Sequence, residues 1–260
     1  MPNNREIKEM LDISNILLNL KNSDIKQPMI DNIISNIKSI TFHNLIYIVS
    51  KYKLTYDFRD NNGNTLLIRS CIENNIDMYI ALLMHKLNNP NDTNDNGYNV
   101  LHYIAYYSKI QYLIIYSTHT NNFDCTSNDG ETPLHIACKY GNLEFVDIFL
   151  NFVKNINPLY NGKTPILIAL ENNRMDIINI YLNHDRFNIN DTIDLSGNTL
   201  LHYSCKLSND ILLDLLLSLK EIKNLDINVL NIFNFSSLYY AQYMNNTYAY
   251  EKLKSFSEII

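Results

Sequence analysis

Glycine, proline and cysteine are all scarce here, with six, six and four copies among 260 residues. The few glycines form no phosphate-cradling loop and no nucleophile elbow, and no paired-carboxylate motif accompanies them, so the common phosphoryl-transfer, hydrolase and glycosidase signatures are missing. Lys and Arg form no run or stripe, and the net charge of -6 gives a phosphate backbone nothing to condense on. Nucleic acid is therefore not an expected partner. No apolar run approaches the roughly 18 residues that a membrane span needs, and no membrane partner is expected. The first residues, Met1 to Glu6, lead into an amphipathic stretch that contains Glu9 and Asp12, which does not read as a secretory signal. Four cysteines without an export signal point to free thiols in the cytoplasm or nucleus. With 46% hydrophobic and 18% charged residues, the chain has the balance of a folded globular protein. Asn, Ile, Tyr and Lys are abundant while Gly, Pro and Ala are scarce, which matches the AT-biased coding of large DNA viruses, some protists and some intracellular bacteria.

What glycine there is falls at regular intervals. Gly63, Gly97, Gly130, Gly162 and Gly197 stand 34, 33, 32 and 35 apart, the spacing of stacked repeats. Each opens a similar pattern, as in Gly63-Asn64-Thr65-Leu66-Leu67 and Gly197-Asn198-Thr199-Leu200-Leu201-His202; a sixth unit keeps the frame from Asn234 to Ala241 without a glycine. Asn62-Gly63, Asn96-Gly97, Asp129-Gly130 and Asn161-Gly162 read as tight hairpin turns. Thr132 and Thr164 then cap a first helix, with Pro133 and Pro165 at its first position. That helix ends eleven residues after the turn, at Asn74, Ser108, Gly141, Asn173, Ser208 and Asn245; the two serines suggest looser or shifted stops. A second helix carries an apolar stripe, Leu143, Val146, Phe149 and Leu150 in one unit, Met175, Ile178, Tyr181 and Leu182 in the next. Neither helix can bury its stripe alone, so the units must stack and need caps at both ends. Arg5 to Leu20, Pro28 to Ile40 and Phe42 to Lys53 read as three helices, the last capped by Thr41.

The passage Asp129-Gly130-Glu131-Thr132-Pro133-Leu134-His135-Ile136-Ala137 resembles the central signature of the ankyrin-repeat family, an Asp-x-x-Gly-x-Thr-Pro-Leu-His-x-Ala pattern. The resemblance implies an all-α fold, an ankyrin-repeat solenoid of stacked helix-turn-helix units with hairpin turns and an N-terminal helical cap. Residues 1–57 read as that cap, with a degenerate repeat over 28–53. Residues 58–256 read as six repeats starting near 60, 94, 127, 159, 194 and 231, followed by a tail over 257–260. The segment 1–24 either extends the cap or forms a docking element. Nothing past Phe256 leaves room for the C-terminal F-box that accompanies many poxviral members.

His135 with Cys138, and His202 with Cys205, stand three apart and could be soft metal ligands, the basis of a metal-dependent enzyme as a rival reading. The register opposes it. Cys71, Cys138 and Cys205 sit eight residues after their turn glycine, where Ala105 also stands and the family places a small packing residue. His102, His135 and His202 share one position, replaced by Ile68, Leu167 and Tyr239 in the other units, and the resemblance implies that such a His bonds within its own turn. Asp60, Asp95 and Asp129 read as turn residues rather than a calcium set. Cys125 remains as the candidate exposed thiol. No catalytic, cofactor-binding or metal-binding residue is expected, and no cofactor.

The resemblance implies instead that hairpin tips and first helices bind a partner protein on a concave surface. In this frame the expected contact set is Tyr98, Tyr106, Tyr107, Glu131, Lys139, Tyr140, Tyr160 and Lys163, tyrosines standing where water-facing charges are normal. The expected function is a monomeric, non-catalytic protein-binding scaffold, with an inhibitor-of-κB-like trap for a host signalling or transcription factor as its finer form and a ubiquitin-ligase or host-range adaptor as the alternative. By the same resemblance, Asn157, Asn190 and Asn228 are candidate acceptors for an asparaginyl hydroxylase.

Overall fold

The computed structural model describes residues 26–52 and 57–257. The helix expected over Arg5 to Leu20, and the segment 1–24 as a whole, lie outside these residues. The chain divides into two compact units, 1–128 and 129–260, so that the boundary falls within the third turn.

In the first unit, α1 (Lys26–Ser35) and α2 (Phe42–Tyr52) precede two helix pairs, α3 (Leu66–Ile72) with α4 (Ile76–Met84) and α5 (Val100–Tyr107) with α6 (Ile110–His119). Thr41 accepts the Asn44 N–H at 3.3 Å, as a cap of α2 should. Helix α1 stops short of the expected Ile40; the carbonyls of Ile37 and Ile40 instead accept the Asn75 side-chain amide at 2.7 and 3.2 Å, tying this segment to the start of α4. Helix α3 lies against α4 and α5, and α4 against α6, so each apolar stripe is covered by its own partner and by the neighbouring pair.

The second unit repeats the plan with α7 (Pro133–Tyr140) and α8 (Leu143–Phe149), α9 (Pro165–Glu171) and α10 (Met175–Asn183), and α11 (Leu200–Lys206) and α12 (Asp210–Ser218). A short α13 (Lys220–Lys223) follows, then the last pair, α14 (Ser237–Tyr243) and α15 (Thr247–Ser257). The described residues contain only isolated bridges and no strand, so the fold is all-α. Phe145, Val146, Phe149 and Leu150 are fully buried, as are Ile177, Ile178 and Tyr181. At roughly 1.5–3 kcal/mol for each large apolar side chain removed from water, these stripes hold the pairs together. The stripe starts two residues later than its spacing suggested: Leu143 is exposed and Met175 half-buried, and Phe145 and Ile177 take the inward positions.

All six first-helix stops adopt the left-handed conformation at one register: Asn74, Ser108, Gly141, Asn173, Ser208 and Asn245. The serines are therefore not looser stops. Ser108, at φ 52, sends its N–H back to Ala105, and Ser208, at φ 50, to Cys205.

Candidate protein-binding surface

The turns are built by residues that stand three before the turn glycine. Asp60 accepts the N–H groups of Asn62 and Asn64 at 2.9 Å on one carboxylate oxygen and the Asn64 side-chain amide on the other. Asn94 holds the N–H groups of Asn96 and Tyr98 in the same way, and Asn231 those of Phe233 and Phe235. Asp194 takes the Asn198 N–H and its amide. Only Asn161-Gly162 forms the two-residue hairpin with both φ positive, closed by paired backbone bonds between Tyr160 and Lys163.

These turn residues also link one repeat to the next. Asn94 donates to Asn64 Oδ1 at 2.9 Å and to the Tyr103 hydroxyl at 2.9 Å, and Tyr103 closes the ring onto Asn64 at 3.0 Å. In the second unit Asn231 donates to Asn198 Oδ1 at 2.9 Å and to the Tyr240 hydroxyl at 3.1 Å. Sequence reasoning passed over this pair of networks, although Asn or Asp recurs three residues before the turn at Asp60, Asn94, Asp194 and Asn231.

Both ring nitrogens of His135 are engaged. Nδ1 accepts the Thr132 N–H at 3.1 Å, which leaves the proton on Nε2, and Nε2 donates to the carbonyls of Pro158 and Lys163 at 3.2 Å. His202 accepts from Thr199 at 3.1 Å and donates to the Phe235 carbonyl at 3.0 Å. The histidine thus closes its own turn, as expected, and also ties it to the next repeat. Burial lowers the pKa of His135 to about 4 and lowers that of His202. The expected caps divide: Thr132 caps α7, whereas Thr164 sends both its hydroxyl and its N–H to the Ile193 carbonyl, at 3.0 and 3.1 Å.

The thiols are shielded. Burial pushes Cys71 up to about 12 and Cys205 up to about 11, and raises Cys138 as well. Cys125 is not the exposed thiol expected. It is half-buried, points toward Asn99 Oδ1 at 3.5 Å, and is likewise pushed up to about 12. Among the described residues no three His, Cys, Asp or Glu side chains form a group able to hold a metal ion. No helix among them is long and apolar enough to cross a membrane. Asn157 and Asn190 are half-buried and bonded, to Asp191 at 3.1 Å and to the Asn224 carbonyl at 2.9 Å respectively, and Asn228 is exposed.

The expected contact residues separate by environment. In the first unit Tyr106 and Tyr107 end α5 in solvent, 46% and 43% exposed, with their rings perpendicular at 4.9 Å. Tyr98 is half-buried, edge-on to Tyr103 at 6.4 Å. In the second unit Tyr140 ends α7 at the same register, 46% exposed, with the Lys139 ammonium 5.6 Å from its ring centre. Tyr160 is half-buried on His135, 5.5 Å between ring centres. Lys163 reaches both carboxylate oxygens of Glu171 at 2.8 Å. Glu131 corrects its expectation: at 8% exposure it is buried. So are Asn64 and Asn198 at the same position, which the hairpin of the next repeat covers in both networks.

Residues 105–193 match a family model described as ankyrin repeats (3 copies). The chain carries ankyrin repeats over these residues and has the ankyrin-repeat fold. A search of curated proteins by sequence finds no match. Among solved structures, this ankyrin-repeat chain is similar to the crystal structure of the ankyrin repeat domain of Bcl-3, described as a unique member of the IkappaB protein family. The two share 20% sequence identity at a TM-score of 0.71, over 84% of this chain and 94% of that one. The likeness confirms the fold that the residues build. Ankyrin repeats are typically non-catalytic interaction scaffolds, and protein binding is the general role the repeats give this chain.

Proposed function

We propose that this protein is a non-catalytic scaffold that grips a partner protein with tyrosines at the ends of its first helices. The observation that carries the reading is the exposure of large rings where first helices end, Tyr107 and Tyr140 at one register in the two units and Tyr106 beside Tyr107. Interior packing does not use these faces, and tyrosine combines a large apolar contact area with a polar tip at small entropic cost. Lys139 and Lys163 supply the polar surround, whereas Glu131 is too buried to contribute. The protein acts as a monomer in the cytoplasm or nucleus, in the reducing setting that suits its four free cysteines. In its finer form the partner is a signalling or transcription factor that the scaffold sequesters.

Affinity capture by the full chain, compared with a Tyr106→Ala/Tyr140→Ala variant and read by quantitative mass spectrometry, tests the reading. A partner recovered by the native chain and lost by the equally folded variant is expected. Full retention of every captured protein by the variant overturns it. Reporter activity in cells expressing the chain then tests sequestration, which predicts loss of output from the captured factor.

A further inference from the structure

The second unit presents an apolar strip that its own packing leaves in water. Leu195 and Ile232 occupy successive hairpin tips, two residues before the turn position; Leu195 donates its N–H to the Gly162 carbonyl at 3.2 Å, and Ile232 to the Ser196 carbonyl at 3.0 Å. Their side chains are 69% and 67% exposed. In the first unit Asp95 and Asn128 hold the same places and likewise donate their N–H groups to the preceding hairpin, at the Asn62 and Asn96 carbonyls, so the position tolerates polar residues, and the apolar pair is not imposed by the turn. The strip continues through Phe233, which lies 6.1 Å from Phe235, and then along α14, where Phe235 stacks on Tyr239 at 4.1 Å and Tyr239 on Tyr243 at 6.0 Å. Exposed apolar residues gathered in this way are the usual mark of a docking site.

Its edge carries one distinctive charge. Lys206 sits with its ammonium 5.1 Å over the Tyr203 ring and 5.9 Å over Tyr240, and Tyr240 lies 6.0 Å from Tyr239 of the ladder. Lys163 is neutralised by Glu171, but among the described residues no carboxylate comes within ion-pairing distance of Lys206. Asp194 is occupied by Asn198 and by the Tyr203 hydroxyl at 2.9 Å. An ammonium held in place by two rings, beside apolar surface and without its own acid, is the complement of a carboxylate set among aliphatic side chains.

We infer that this face of repeats five and six docks an acidic, aliphatic segment of a partner protein, with apolar side chains against Leu195, Ile232, Phe233 and Tyr243 and a carboxylate on Lys206. The inference rests on the scaffold reading and names the chemistry of the partner. A lipid surface would call for a cluster of cations, which one lysine on a chain of net charge -6 does not provide.

The test is selection of displayed random peptides of about twelve residues on the full native chain, in parallel with Lys206→Glu and Ile232→Asp, each variant first shown to unfold like the native protein. Native selections should enrich Asp or Glu flanked by Leu, Ile or Phe. A synthetic copy of the leading peptide should bind about tenfold more weakly to either variant, and more weakly as salt rises. Lys206→Glu should enrich Lys or Arg instead. Peptides without acidic enrichment, an acidic peptide indifferent to Lys206→Glu, or no enriched peptide at all would each overturn the inference. The capture experiment with Tyr106→Ala/Tyr140→Ala judges the scaffold reading separately, so either can fail alone.

Discussion

The backbone nitrogen of Asn128 lies where a β-carbon on Gly97 would stand, closer than the 3.0 Å that real β-carbons respect. Asn128 is held there by its bond to the Asn96 carbonyl at 3.0 Å and cannot retreat without breaking the link between tips. Gly97 also has φ +79, so alanine at this position meets both a clash and a left-handed backbone. Gly162, at φ +74, faces only the flexible end of Leu195, 2.8 Å from the added atom. Gly162→Ala should therefore cost about 1–2 kcal/mol from the backbone alone, and Gly97→Ala distinctly more. Asn234 is already a left-handed non-glycine residue at the equivalent position, and Asn234→Gly should stay within about 0.5 kcal/mol of native. Urea unfolding of the three variants checks the order, which equal losses for both alanines would contradict.

Ser208 gives the opposite sign. A serine at φ 50 carries a left-handed penalty of about 1–2 kcal/mol, while glycine adds roughly 0.5–1 kcal/mol of unfolded-state entropy to be lost. Ser208→Gly should stabilise the protein by about 0.5 kcal/mol. Asn173→Gly, at φ 56, starts from a residue better suited to this conformation and should change little. Thermal unfolding of both variants measures the difference, and a destabilised Ser208→Gly would show that the serine side chain contributes more than its backbone strain removes.

The period and the positions of the turns, helix stops and buried histidines could be read from the sequence because each depends on one residue meeting one local backbone demand. Glycine, asparagine and Thr-Pro have few other reasons to recur in register. Burial at Glu131 and sharing at Asn94 were harder to see, because neither is set within a single repeat; Asn94 reaches back to Asn64 of the preceding hairpin. The surface set suffered most. A position one residue after the turn looks exposed in an isolated repeat, yet Asn64, Glu131 and Asn198 are all buried, and the next hairpin covers Asn64 and Asn198. The apolar tips Leu195 and Ile232 were visible by name, but their exposure and the ring ladder that runs from Phe233 to α14 needed coordinates.

His135 makes folding sensitive to mild acid. Its native pKa near 4 lies below the ordinary 6.5, so between those values the unfolded chain binds a proton that the folded chain refuses. Its contribution is fully present above about pH 6.5 and is lost as pH falls toward 4. The gap corresponds to ~3 kcal/mol, at about 1.4 kcal/mol per pH unit inside the window. His202, also lowered by burial, adds a loss of the same sign. In His135→Leu, the residue found at Leu167 in the next repeat, overall stability should fall at pH 7 but the slope of unfolding free energy against pH should flatten by about one proton. Urea titrations from pH 4 to 7 decide this, and an unchanged slope would exclude a buried neutral imidazole.

Thr164 explains how the fourth repeat manages with Leu167 in place of histidine. In the third repeat His135 reaches forward to the Pro158 carbonyl, four residues before the next turn glycine; in the fourth, the carbonyl at that place is Ile193, and Thr164 reaches it with both hydroxyl and N–H. The inter-repeat bond is thus kept while its donor moves from the helix to the cap. Thr164→Val retains the shape and the backbone bond but removes the hydroxyl donor, and should cost about 1–2 kcal/mol. Thr132→Val instead removes an acceptor from the His135 N–H, at 3.4 Å, and a partner from its ring at 2.8 Å, while His135 keeps its forward bonds. In a double-mutant cycle, Thr132→Val with His135→Leu should therefore be strongly non-additive, because the two side chains touch, whereas Thr164→Val with Leu167→Ala should be nearly additive in its polar part. Coupling below about 0.5 kcal/mol in the first cycle would mean that the histidine closes its turn through the backbone alone.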